Sequence, residues 1–209
     1  MIRKPEGYDG AQAYTGESMQ LPAGLYVCKV VQAQETTTDR GREQFILLYD
    51  VAEGEHAGFY RKQYEAARKS GQDAKWKGVY RQYMDGASVP FFKGLITSIE
   101  KSNGGFQFPF GKENNEKTLV GKKFGAIMGR EEFETSDGKR RFATKIFQVR
   151  SVDGLKDAKI PEDRLLEGRQ QGAKQAQGNN GGVPYLGAPD ADGFMHIPDG
   201  VDDEELPFS

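Results

Sequence analysis

Residues 119–152 read LVGKKFGAIMGREEFETSDGKRRFATKIFQVRSV. Two runs rich in β-branched and aromatic residues flank Ser136-Asp137-Gly138-Lys139. Asp-Gly between such runs is the strongest short-range mark of a β-hairpin, so this stretch predicts two long antiparallel strands. Working upstream, FQFPFGKENNEKT (106–118) reads as a loop. Before it, GVYRQYMDGASVPFFKGLITSIEKSNGG (78–105) has helical character. Ser88 stands where a cap belongs, Phe92, Leu95, Ile96 and Ile99 follow helical spacing, and Gly104-Gly105 end the run. ARKSGQDAKWKG (67–78) is a polar, basic connection. GFYRKQYEA, from Gly58, reads as a strand. QFILLYDVAEG (44–54) reads as a central strand, apolar on both faces at Phe45, Ile46, Leu47 and Leu48. GLYVCKVVQAQ (24–34) reads as the first strand, and its Val30-Val31 doublet breaks the alternation as a bulge would.

The predicted order is three strands, a helix, then a hairpin. That β-β-β-α-β-β order is the topology of the five-stranded OB-fold barrel, an all-β class with one helix between strands three and four. The domain predicted on this basis covers 23–164. Residues 1–22 read as a polar N-terminal arm. Residues 165–209 read as a flexible linker and acidic tail, because 169–182, RQQGAKQAQGNNGG, hold ten Gln, Gly or Asn in fourteen positions.

Composition narrows the function classes. Apolar residues make up 36% of the 209-residue chain, with no apolar run near the ~20 residues of a membrane helix. The opening MIRKPEGYDG has no apolar stretch, so no secretory leader is expected. Cys28, the lone cysteine, cannot form an internal disulfide, which fits a reducing, cytoplasmic setting. With His56 and His196 far apart, a Cys/His zinc site is excluded and no cofactor or metal is expected. Phosphate-loop, dinucleotide and serine-nucleophile motifs are absent. Glu131 and Glu132, as strand neighbours, point to opposite faces and cannot easily share a metal. These residues give no catalytic constellation, and the chain is expected not to be an enzyme.

Charge is unevenly spread. The net charge is -2, yet 165–209 sum to -6 while 1–164 sum to +4. A basic body with an acidic tail suits a nucleic-acid binder with an interaction segment, although a solvated surface gives the same count. Residues 59–83 interleave rings and cations: Tyr60, Arg61, Lys62, Tyr64, Lys75, Trp76, Lys77, Tyr80 and Arg81. Single-stranded nucleic acid is held by this mixture, bases stacking on rings while cations track phosphates. Core packing competes for each ring, but Trp76 between two lysines is expected outside the core. OB-folds also bind through the loops joining strands 1–2 and 4–5, here carrying Arg40 and Arg42 and then Lys139, Arg140 and Arg141, with Lys145 beyond.

The chain closes on DDEELPFS, in which Asp202, Asp203, Glu204 and Glu205 lead into Leu206, Pro207 and Phe208. This resembles the acidic tip of bacterial single-stranded DNA-binding proteins, which recruits replication and repair proteins. It departs from that tip in adding Ser209 after the phenylalanine. The stretches YDVAEGEHAGFYRKQY (49–64), LVGKKFGAIMGREEF (119–133) and KIFQVRSV (145–152) resemble phage and prophage single-stranded DNA-binding proteins of OB type. The resemblance implies a non-enzymatic protein that coats single-stranded DNA in replication or recombination of a phage or prophage genome, in the host cytoplasm, and recruits partners through the tip. Self-association stays open. An annealing or recombination accessory protein is the alternative, ahead of an RNA-binding OB protein or a metal-dependent nuclease.

Overall fold

A computed structural model describes residues 3, 4, 8, 20–71 and 73–166. Most of the predicted arm, and the linker and tip beyond Leu166, lie outside the described residues, Asp202 to Phe208 among them. Five strands form one antiparallel sheet: β1 (Gly24–Thr37), β2 (Glu43–Val51), β3 (Val79–Tyr83), β4 (Lys123–Glu134) and β5 (Arg140–Arg150), in the order β3-β2-β1-β4-β5. Two helices, α1 (Phe59–Lys69) and α2 (Val89–Ser102), flank β3 in the chain. The described sheet is open, with β3 and β5 at its edges.

The hairpin predicted around Asp137-Gly138 is present. Gly138 takes the left-handed φ of 75° that the turn needs, and Thr135 N–H donates to the Lys139 carbonyl. The bulge predicted at Val30-Val31 is also present as a register shift between Val30 and Gln32. In β1 the side chains alternate between buried and half-buried up to that point; β2 is buried on both faces from Phe45 to Val51, as a central strand is.

The third strand is the main correction. Residues 59–69 are a helix, and the strand comes later, at Val79–Tyr83, inside the run read as helical. The helix follows from its composition: Glu65, Ala66, Ala67, Arg68 and Lys69 are strong helix formers, and the two last-turn cations suit its C-terminus. Its start is set by Gly58 in the left-handed region at φ 71° and by Asp50, a fully buried carboxylate on β2. Oδ1 of Asp50 accepts the backbone N–H groups of Val51 at 2.9 Å and Tyr60 at 3.0 Å, the latter one of the first-turn donors of α1 that lack a partner within the helix. The order is therefore β-β-α-β-α-β-β rather than β-β-β-α-β-β. In α2 the predicted stripe is real: Leu95, Ile96 and Ile99 are buried, Phe92 is half-buried, and the helix ends at Ser102 before the two glycines. Ser88 sits at the cap position but makes no capping hydrogen bond through its side chain.

The core joins Cys28 and Val30 of β1, Leu47 of β2, Phe124 and Met128 of β4, Leu95 and Ile99 of α2, and Leu119 from the loop before β4. Leu21 is buried too, and its carbonyl accepts the Thr144 hydroxyl, so the domain begins within the last residues of the predicted arm. At the other end, residues 163–166 strap onto β4. Arg130 forks onto Asp163, Arg164 exchanges backbone bonds with Arg130 and Glu132, and Leu166 N–H donates to the Glu132 carboxylate at 3.0 Å.

Register also fixes where the two hairpin tips go. β1 pairs with β4 only over Gly24–Lys29, with Gly24 opposite Met128. Beyond this overlap β1 runs with β2 to the tip at Thr37–Glu43, while β4 runs with β5 the other way to the tip at Glu134–Arg140. The tips lie at opposite ends of the sheet, with about 60 Å of strand contour between them at ~3.3 Å per residue.

Candidate nucleic-acid interface

Pairing of β2 with β3 sorts their side chains. Gln44 lies opposite Tyr83 and Ile46 opposite Arg81 on one face; Phe45 opposite Gln82 and Leu47 opposite Tyr80 share the other. Phe45, Ile46, Leu47 and Leu48 all belong to the core, so β2 is covered on both faces there, and Tyr80 packs against that core. Burial pushes the Tyr80 hydroxyl up to about 12, and it donates to Gln82 Oε1 at 3.1 Å. Arg81 and Tyr83 share the face of Ile46, and both are half-buried.

Next to them the β1–β2 turn delivers Arg42. Its guanidinium lies 3.7 Å from the Tyr83 ring centroid, and it forks onto Asp85, Nε at 3.1 Å and Nη2 at 2.5 Å from Oδ1. Stacking and bidentate hydrogen bonding together hold a long, mobile side chain in one place. Arg42 in turn keeps the Asp85 carboxyl below its ordinary range, chiefly through the hydrogen bond. Thr38 Oγ1 accepts the Arg42 N–H at 3.1 Å and anchors the turn, on which Arg40 is exposed. The partly exposed Arg81 and Tyr83, with a pre-positioned Arg42 beside them, can stack a flat ring and accept phosphate charge without ordering these groups afresh.

The remaining predicted residues are placed differently. Tyr60, Tyr64 and Trp76 are all in the core. Tyr60 meets Tyr49 edge-on, and burial raises its hydroxyl to about 12. Tyr64 packs against Trp76 at 5.7 Å, and the indole Nε1–H donates to the Tyr49 carbonyl at 3.1 Å. The lysines beside Trp76 did not keep it outside because exposure alternates along 74–78: Lys75 and Lys77 are exposed while the ring between them is buried. Lys75 pairs with Asp73 at 3.4 Å. On α1, Lys62 is exposed and Arg61 half-buried.

At the distant tip, Lys139 pairs with Asp137 at 2.8 Å, while Arg140 and Arg141 are exposed. Lys145 pairs with the largely buried Glu131 at 2.8 Å. This cluster is not brought beside Arg40 and Arg42 within the sheet register. Sequence reading passed over several aromatic features. Phe110 is 65% and Phe91 39% exposed, Lys122 lies 4.5 Å from the Phe106 ring, and Arg164 lies 3.8 Å from that of Phe147. The signal was FQFPF, whose three phenylalanines are unusual in a loop.

Among the described residues no three His, Cys, Asp or Glu side chains gather as metal ligands, and no helix is long and apolar enough to cross a membrane. No protein-family model matches the chain, and neither does any curated protein sequence.

Proposed function

We propose that this protein is a non-enzymatic single-stranded DNA-binding protein that holds the strand at Arg81 and Tyr83 of β3, on the β2–β3 face, and at the β1–β2 turn. The observation that carries this reading is Arg42 stacked on Tyr83 and forked onto Asp85, on the face that bears Arg81. The strand order supports an OB-type barrel, because β1 between β2 and β4, with α2 between β3 and β4, is the connectivity that fold requires. In that fold the strand 2–3 face and the adjoining loop are where oligonucleotides lie. The strand would be coated during phage or prophage replication or recombination, with Asp202 to Phe208 recruiting partner proteins.

Titration of labelled oligo-dT, matched duplex DNA and matched RNA by fluorescence anisotropy tests the reading. Oligo-dT is expected to bind most tightly, and Tyr83→Ala to weaken it by ~1–3 kcal/mol, the worth of one stacked base. Equal affinity for duplex, or no loss in Tyr83→Ala, refutes it. Magnesium-dependent shortening of the oligomer would turn the reading to a nuclease.

A further inference from the structure

A second charged surface is lined by no residue of β2 or β3. A groove of about 530 Å3 runs between α2 and the end of β5, walled by Lys93 and Lys101 on the helix and Val149 and Arg150 on the strand. Its lining includes no carboxylate and no aromatic ring. Among the described residues no acid pairs with Lys93, Lys101 or Arg150, whereas Arg42, Lys123, Arg130, Lys139, Lys145 and Lys156 all do have such partners. Gly94 and Gly154 lie on the walls; at Gly94 even an added Cβ would touch nothing within 4 Å. The opposite side of α2, with Leu95, Ile96 and Ile99, is committed to the core, so the lysine side has a fixed direction.

We infer that this groove is a second track for the sugar–phosphate backbone of the same strand, reading charge rather than bases. This rests on the single-stranded DNA reading above. Lys93 and Lys101 are eight residues apart on one helix, or about 12 Å at 1.5 Å per residue, so they meet phosphates separated by several bonds of backbone. The missing rings mean that bases gain nothing by entering, so they stay outside while phosphates face the cations. An acidic peptide with an aromatic anchor is the poorer occupant, because Pro90 and Val149 are the main apolar side chains there and form no pocket for a ring.

The test uses the full chain, with Lys93→Gln/Lys101→Gln beside wild type and Tyr83→Ala. Circular dichroism and melting temperature first establish that the exposed substitutions leave the fold intact. Binding of dT oligomers of about 5 and about 15 nucleotides, within the range of one OB domain, is then followed against salt. For the long oligomer the double variant is expected to flatten the slope of log K against log[salt] by about 1.4, at ~0.7 per lost phosphate contact. For the short oligomer, which the β2–β3 face holds alone, no change is expected. An unchanged slope at both lengths overturns the second track while Tyr83→Ala still reports on the first face. A slope change that disappears once 202–209 are removed also overturns it, because the groove then acts through the acidic tip. Failure of wild type to bind either oligomer removes both readings.

Discussion

Trp76→Ala separates a core tryptophan from a stacking one. The indole is 2% exposed, donates to the Tyr49 carbonyl at 3.1 Å and packs against Tyr64 of α1. The next residue but one closes the same junction, with Gly78 O accepting the Tyr49 N–H at 2.7 Å. A buried tryptophan removes ~150–250 Å2 from water, which at ~25 cal/mol per Å2 is about 4–6 kcal/mol. Observed large-to-small core substitutions of this type cost about 3–5 kcal/mol, so the two routes agree. Against a typical ~5–15 kcal/mol of domain stability this is a large share. Trp76→Phe keeps most of the apolar area and loses the hydrogen bond, leaving a buried carbonyl short of a partner, at about 1–3 kcal/mol. Urea unfolding followed by far-ultraviolet circular dichroism measures both. Trp76 is the single tryptophan, so native emission is expected to be blue-shifted, poorly quenched by acrylamide and little altered by oligo-dT. A loss in Trp76→Ala below ~1 kcal/mol, or native emission matching that of the unfolded chain, would refute the burial argument.

Gly78→Ala places a Cβ 2.2 Å from the Tyr49 carbonyl oxygen and 2.7 Å from the Tyr60 ring, both in the core, so a destabilisation of about 1–3 kcal/mol is expected in thermal melts. A variant as stable as wild type would show that the 74–78 segment can move off β2. Asp85 has its folded pKa depressed by Arg42, so its contribution to stability is present above the ordinary carboxyl pKa and is lost as pH falls through the lower folded value. Acid titrations of wild type and Asp85→Asn are therefore expected to diverge near neutral pH and converge at low pH; parallel curves throughout would contradict the ion pair. Cys28 is fully buried, and burial pushes its thiol well up, so a thiol reagent is expected to label it only in denaturant. Rapid labelling of the native protein would place Cys28 outside the core.

Patterns with one physical reading were legible in the chain. Asp137-Gly138 needs a left-handed residue between two β-prone runs, Val30-Val31 breaks a period-two strand, and Phe92, Leu95, Ile96 and Ile99 keep helical spacing. Phe59-Tyr60 and Tyr64 fit two periods at once. Read by twos, Tyr60, Lys62 and Tyr64 make a strand face; read by fours, Tyr60 and Tyr64 make the buried stripe of α1. Glu65 to Lys69 favoured the helix, but the nearby aromatics are equally at home in strands, so local propensity alone did not separate the two.

Within the candidate site the sequence determined which cations and rings are available, and that Arg40, Arg42 and the 139–145 cluster sit in or beside turns and strands, whereas Arg81 fell in a run read as helical and lies on β3. The tertiary structure decided which of them meet. Arg42 reaches Tyr83 and Asp85 because β2 pairs with β3, a contact spanning some forty residues of chain that no local pattern encodes. The same pairing sets Tyr80 and Arg81 on opposite faces of β3. Trp76 went inside although its neighbours are charged, because Tyr49 of β2 and Tyr64 of α1 meet its indole on one side of the segment while Lys75 and Lys77 stay exposed. Composition states what a segment can bury; only its neighbours across the sheet settle which side of it is buried.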